Sequence, residues 1–227
     1  MDEIRHYREL RVSDSRYGGG VEHAPYVALL LEMAKAKSVL DWGCGKGAMA
    51  HELTSLGYEW SGYDPAIPEL AEIPQETFDA VICLDVLEHI PEEYLEEVLK
   101  NIAEKASVAI LVPHLGLAKT TLPDGRNAHC TIKSKNEWKA EFERYFSVVE
   151  GLPHHNEFHG LFWCSTGSNV SDVARAQCSR LASRNRRLRL FSRLTLVRGS
   201  VKILTGVLGE LNAGRVLSPI VRRIKGP

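Results

Sequence analysis

The sequence contains no run of 18 or more uncharged apolar residues, so a conventional transmembrane helix is not expected. Its first ten residues, MDEIRHYREL, are charged throughout and lack the apolar centre of a secretory signal. Cysteine is sparse: five residues, at 44, 83, 130, 164 and 178, with no CxxC pair. That argues against a disulfide framework and a zinc ribbon, and a reducing cytoplasm is the simple expectation. No internal repeat is visible. With 227 residues, 44% hydrophobic and 25% charged, the chain is neither disordered nor of low complexity, and it is long enough to bury a core.

Acidic residues are missing from one region in particular. Residues 171–227 hold 13 basic and only two acidic residues, a net charge of +11. Residues 1–170 hold 15 basic and 27 acidic, a net charge of −12. The overall charge of −1 is therefore a cancellation. The polar stretch Ser165-Thr-Gly-Ser-Asn-Val-Ser-Asp172 separates the two regions, which places a boundary between a domain at 1–170 and a basic tail at 171–227.

Within the first region, strand-like and helix-like patterns alternate. Helices are expected at 24–36, 48–56, 91–105 and 136–145. Strands are expected at 38–41, 58–63, 78–84, 107–112, 147–150 and 158–164. This order means a parallel α/β sheet with helices on both faces, closed by an antiparallel hairpin at one edge.

Asp41-Trp-Gly43-Cys-Gly45-Lys-Gly47 joins the first strand to the second helix. Glycines permit a tight turn and close approach of a ligand at the positive end of a helix. Asp64, after the second strand, falls beside this loop and can hold both hydroxyls of a ribose. The spacing Gly43-x-Gly45-x-x-Ala48 also fits a dinucleotide site, so the loop alone leaves a dehydrogenase open.

Taken together, VLDWGCGKG, GYDP and FDAVICLDVLEHIP resemble the first, second-strand and fourth-strand motifs of the class I S-adenosylmethionine-dependent methyltransferases. The resemblance spans about residues 17–166 and is closest to the branch of ubiquinone-pathway O-methyltransferases and sugar- and lipid-modifying enzymes. It implies a Rossmann-like, seven-stranded-type sheet with S-adenosylmethionine as cofactor. It implies that Gly43, Gly45 and Gly47 line the methionine and ribose side, that Asp64 takes the ribose hydroxyls, and that Asp85 faces the cofactor. An acid at Asp41 suits a cationic sulfonium better than a pyrophosphate. One departure is clear: residues 65–77, with three prolines, leave no room for a full helix and third strand. The strand-three region is expected to be reduced, with adenine read by backbone near Ile73.

Histidines at 89, 114 and 129 are the candidate catalytic bases. Asp85, Glu88 and His89 converge if the chain begins a helical turn there. The resemblance offers this trio as a divalent-metal alternative; the preferred reading has Glu88 and His89 shaping the loop before Pro91. Tyr17-Gly-Gly-Gly20 is expected to form a lid. In the tail, Leu190, Leu194, Val197, Val201, Leu204 and Leu208 form one helical stripe flanked by arginines. A basic amphipathic helix suits an anionic membrane surface, with nucleic-acid binding or docking on the acidic domain as rivals. The expected function is O-methylation of a hydroxyl on a glycan or lipid-linked intermediate by a cytoplasmic, peripheral membrane enzyme. An RNA methyltransferase and a non-catalytic cofactor-binding scaffold stand as alternatives.

Overall fold

The computed structural model describes residues 20–122 and 124–195, and only the backbone of residues 187–195. Six strands form one sheet: β1 (Ser38–Trp42), β2 (Glu59–Tyr63), β3 (Ala80–Leu84), β4 (Val108–Val112), β5 (Val148–Leu152) and β6 (Leu161–Ser165). Their spatial order is β2-β1-β3-β4-β6-β5. The first four are mutually parallel, and β6 runs antiparallel to both β4 and β5. The expected hairpin is present, with β6 inserted between β4 and the edge strand β5. Among the described residues the sheet has six strands, and the reduction expected after β2 is present. Between β2 and β3 the only regular element is a single 3-10 turn at Pro68–Leu70, because prolines remove donors that a strand or helix needs.

Side chains alternate across the strands, so each strand feeds two cores. Val39, Ile82 and Ile110 meet Tyr26, Leu30 and Leu31 of α1 (Ala24–Ala34). The opposite face sets Leu40, Val81 and Leu111 against Leu95 and Leu99 of α3 (Glu92–Lys105) and Trp138 of α4 (Lys135–Phe142). Burial on both faces explains the near-continuous apolar strands. Helix α1 stops at Lys35, whose left-handed backbone (φ 54°) caps the last turn. Helix α4 starts at a capping box: Ser134 Oγ accepts from the Glu137 N–H, and the Glu137 carboxylate accepts from the Ser134 N–H.

Helix α5 (Asp172–Thr195) begins where the boundary was expected, yet its first turns belong to the same core. Ala174, Cys178 and Ala182, spaced by four, are buried on one stripe, the first two in the α1 cluster. Arg175 pairs with Glu150, and Arg186 donates to the His154 carbonyl at 3.0 Å. The start of the tail thus docks on the acidic domain. Leu190 and Leu194 fall on α5, while Val197, Val201, Leu204 and Leu208, and residues 17–19 of the expected lid, lie outside the described residues.

Candidate active site

The C-terminal ends of β1–β4 share one sheet edge, and the topology reverses between β1 and β3. That is where an α/β sheet opens a crevice. Here the crevice is a cavity of about 650 Å³, a size suited to a small organic ligand. It is lined at one end by the glycine loop and Asp64, and at the other by Asp85, Glu88 and four histidines.

At the glycine end, Gly43, Gly45 and Gly47 all have positive φ, at 76°, 55° and 72°. A Cβ on Gly43 would lie 2.4 Å from a Val86 methyl, so only glycine fits between the loop and the chain after β3. Gly47 differs in role. It caps α2 (Ala48–Ser55) beside Trp60 and does not line the cavity. Asp64 joins both loops: Oδ2 accepts from the Gly45 N–H at 2.9 Å and Oδ1 from the Ala66 N–H at 2.8 Å. Asp41 is buried and accepts from Trp60 Nε1 at 3.3 Å. Burial pushes its carboxyl up to about 7, with Asp64 adding to the rise and Trp60 opposing it. Burial likewise pushes the Cys44 thiol up to about 12, which removes it as a nucleophile.

The opposite end divides the expected trio. Asp85 adopts a left-handed backbone (φ 54°) and turns its carboxylate toward His23 Nε2 at 2.9 Å and His159 Nε2 at 3.1 Å. Burial opposes its ionisation, yet the two imidazoles more than offset this and hold it well below the usual carboxylate range. Glu88 and His89, on a single 3-10 turn, instead join His129, which a loop brings from 40 residues on. Ligand atoms of these three lie within 4.8 Å of one another. Neither Glu88 oxygen has a hydrogen-bond partner among the described residues, although the side chain is fully buried. Burial, then the charge of Asp85, raises its carboxyl well above the normal value. His89 Nδ1 lies 2.8 Å from the Ala128 carbonyl and His129 Nδ1 2.5 Å from the Gly116 carbonyl. A carbonyl only accepts, so both Nδ1 atoms carry the proton and both Nε2 atoms are unprotonated. Burial drives His89 down to about 4 and lowers His114 and His129, so all three are neutral at pH 7.

A buried carboxylate without a donor, beside two imidazoles oriented by backbone carbonyls, fits a divalent cation. The group whose atoms could share one ion is Glu88, His89 and His129, without Asp85. His114 packs against His129 with ring centres 4.7 Å apart. Sequence reasoning missed His23, His159 and Trp60, whose partners are distant in the chain and leave no local pattern.

Comparison with known proteins agrees with this architecture. The chain is 31% identical over 91 residues to the ubiquinone biosynthesis O-methyltransferase of Alkalilimnicola ehrlichii, a match covering 30% of this chain and 37% of that protein. The chain thus spans little over a third of that relative. Among solved structures, it is similar to the DhpI complex with S-adenosylhomocysteine (TM-score 0.52, 16% identity, 74% and 96% of the two chains). It is also similar to S-adenosylmethionine-bound CalS10, an amino pentose methyltransferase from Micromonospora echinaspora (TM-score 0.51, 17% identity, 64% and 91%). At such identities the likeness is one of fold. The family model described as "Methyltransferase domain" matches residues 18–150, more than half the chain. The protein belongs to that methyltransferase-domain family.

Proposed function

We propose that this protein methylates a hydroxyl oxygen of its acceptor. The observation that carries the reading is the single cavity that joins a glycine-and-aspartate end to a neutral-histidine end. When bound, S-adenosylmethionine supplies a methyl group on a cationic sulfur, already activated for displacement.

The residues fit that cofactor. Gly43 leaves backbone where any side chain would collide, and the Asp64 carboxylate, on the cavity wall beside the glycine loop, suits the two ribose hydroxyls. Asp41 offers negative charge to a ligand that carries an ammonium and a sulfonium. Ile73 lines the cavity and supplies an apolar wall for the adenine. At the other end, Glu88, His89 and His129 would hold a divalent cation, whose charge eases ionisation of a bound hydroxyl. His114, neutral and on the cavity wall, is placed to take the hydroxyl proton. Holding the two reactants in line supplies much of the rate enhancement, up to about 7–11 kcal/mol in favourable cases.

The acceptor we infer is a glycan or a lipid-linked intermediate at the cytoplasmic face of a membrane. Support comes from the +11 charge of residues 171–227 and from relatives named for an O-methylation and an amino pentose. Methyl-labelled cofactor, incubated with the purified chain and fractionated extract, tests this. Alkali-stable label in the glycan or lipid fraction is expected. Label in RNA or protein, or no transfer at all, would overturn the acceptor.

A further inference from the structure

Asp85 lies where the two ends of the cavity meet. Val86 beside it packs against the glycine loop at Gly43, and Glu88 follows three residues on. A left-handed backbone aims the Asp85 carboxylate at His23 and His159. Behind His23 stands a residue that does not line the cavity: buried His154, whose Nε2 is 3.2 Å from His23 Nδ1. The loop carrying His154 is gripped from two sides. Arg186 of α5 donates to the His154 carbonyl at 3.0 Å, and His155 Nδ1 lies 3.2 Å from the Tyr26 hydroxyl of α1. One line of contacts thus runs from α5 through His154 and His23 to the cavity wall.

We propose that His154 and Arg186 are positioning residues for the methyl transfer: Arg186 fixes the loop that carries His154, and His154 fixes, through His23, the direction of the Asp85 carboxylate.

The proton order follows from the partners. Burial pushes His154 down to about 3, so its ring is neutral at pH 7 and carries one proton. Its Nδ1 has both backbone groups of Asn156 in reach, the carbonyl at 3.1 Å and the N–H at 3.2 Å. In one order His154 donates to that carbonyl and accepts from His23 Nδ1. A neutral His23 then sets a bare Nε2 lone pair 2.9 Å from Asp85, which the imidazoles hold ionised against its burial. In the other order every contact is a donor meeting an acceptor. The Asn156 N–H donates to His154 Nδ1, His154 Nε2–H to His23 Nδ1, and His23 Nε2–H to Asp85 Oδ2. The ionised carboxylate selects the second order, and each bond in such a chain polarises the next. Without His154 the His23 ring is free to turn, and Asp85 keeps only His159, which meets its other oxygen. The role in turnover rests on the methyl transfer proposed above, whereas the proton order stands on its own.

The test labels the histidines of the full chain with nitrogen-15 and reads their tautomers at pH 8 from correlations between ring nitrogens and ring protons. His23 should carry its proton on Nε2, and that proton should exchange slowly with water. Arg186→Ala, at an exposed position that spares the fold, should speed the exchange at least tenfold, and Arg186→Lys, which can still donate to the carbonyl, should restore it. Calorimetry should find the affinity for S-adenosylhomocysteine within about twofold of the parent in Arg186→Ala and His154→Phe. The maximal rate of label transfer from methyl-labelled cofactor to the accepting extract fraction should fall about tenfold or more in both. A His23 ring protonated on Nδ1 overturns the proposal, as does an Arg186→Ala chain with the exchange and turnover of the parent. A parent chain that shows the Nε2 proton but transfers no label overturns the methyl transfer and leaves the hydrogen-bond chain standing.

Discussion

Asp64 and His129 mark the two ends of the cavity, and their substitutions should separate cofactor binding from turnover. Asp64→Ala removes the group set to accept the ribose hydroxyls, with hydrogen bonds to a charged group worth about 1.5–3 kcal/mol each. Affinity for S-adenosylhomocysteine, measured by calorimetry, should fall about tenfold or more. His129→Ala should leave that affinity unchanged and reduce turnover about 100-fold. Unaltered affinity in Asp64→Ala would refute its ribose role. Asp41 adds a pH signature. Its proton is held more tightly in the fold (about 7) than in the unfolded chain (3.8). Between pH 4 and 7 the folded state binds more protons, so the contribution of Asp41 lowers stability as pH rises. A cationic ligand favours the ionised form, so affinity should climb by up to about tenfold per pH unit below 7 and level off above it. Asp64, Trp60 and Cys44 face this carboxyl, and Asp41→Asn should flatten both trends.

Among the elements, α4 and α5 make distinct demands. The Ser134–Glu137 box satisfies donors that the start of a helix leaves unpaired. Ser134→Ala should lower stability by about 1 kcal/mol in chemical denaturation and leave cofactor affinity alone. Helix α5 was read from the sequence as the start of a separate tail. Its small residues Ala174, Cys178 and Ala182 let it lie close against α1, a contact that hydrophobicity alone does not reveal. A chain ending at Ser171 exposes the face around Tyr26 and should aggregate or melt at least 10 °C lower. A chain ending at Thr195 should melt within about 2 °C of the parent. Equal melting of all three would return α5 to a separate tail.

For the molecule as a whole, opposite charges are segregated along the chain, and the arginines of early α5 already meet acidic and carbonyl partners on the domain. We propose that the cations beyond Thr195 meet an anionic membrane surface. Each near an anionic headgroup adds about 1 kcal/mol. The full chain should cosediment with phosphatidylserine vesicles, not with neutral ones, and should be released by high salt. The chain ending at Thr195 should stay in solution. RNA binding in place of vesicle binding would reassign the tail.

The six strands, the glycine loop and the strand-end acids were legible in the sequence because each is a contiguous pattern. Apolar runs mark buried strands, glycine marks backbone that turns at positive φ, and prolines between Asp64 and Phe78 mark a reduced strand-three region. What only the tertiary structure decided is which acids and histidines share a point in space. Asp85 and Glu88 are three residues apart, yet they face different histidines, because the left-handed backbone at Asp85 turns its side chain out of the following turn. His23 and His159 reach Asp85 from distant loops. An imidazole in a loop has no periodicity to announce its partner, so its role emerges only once the sheet has drawn the loops to one edge.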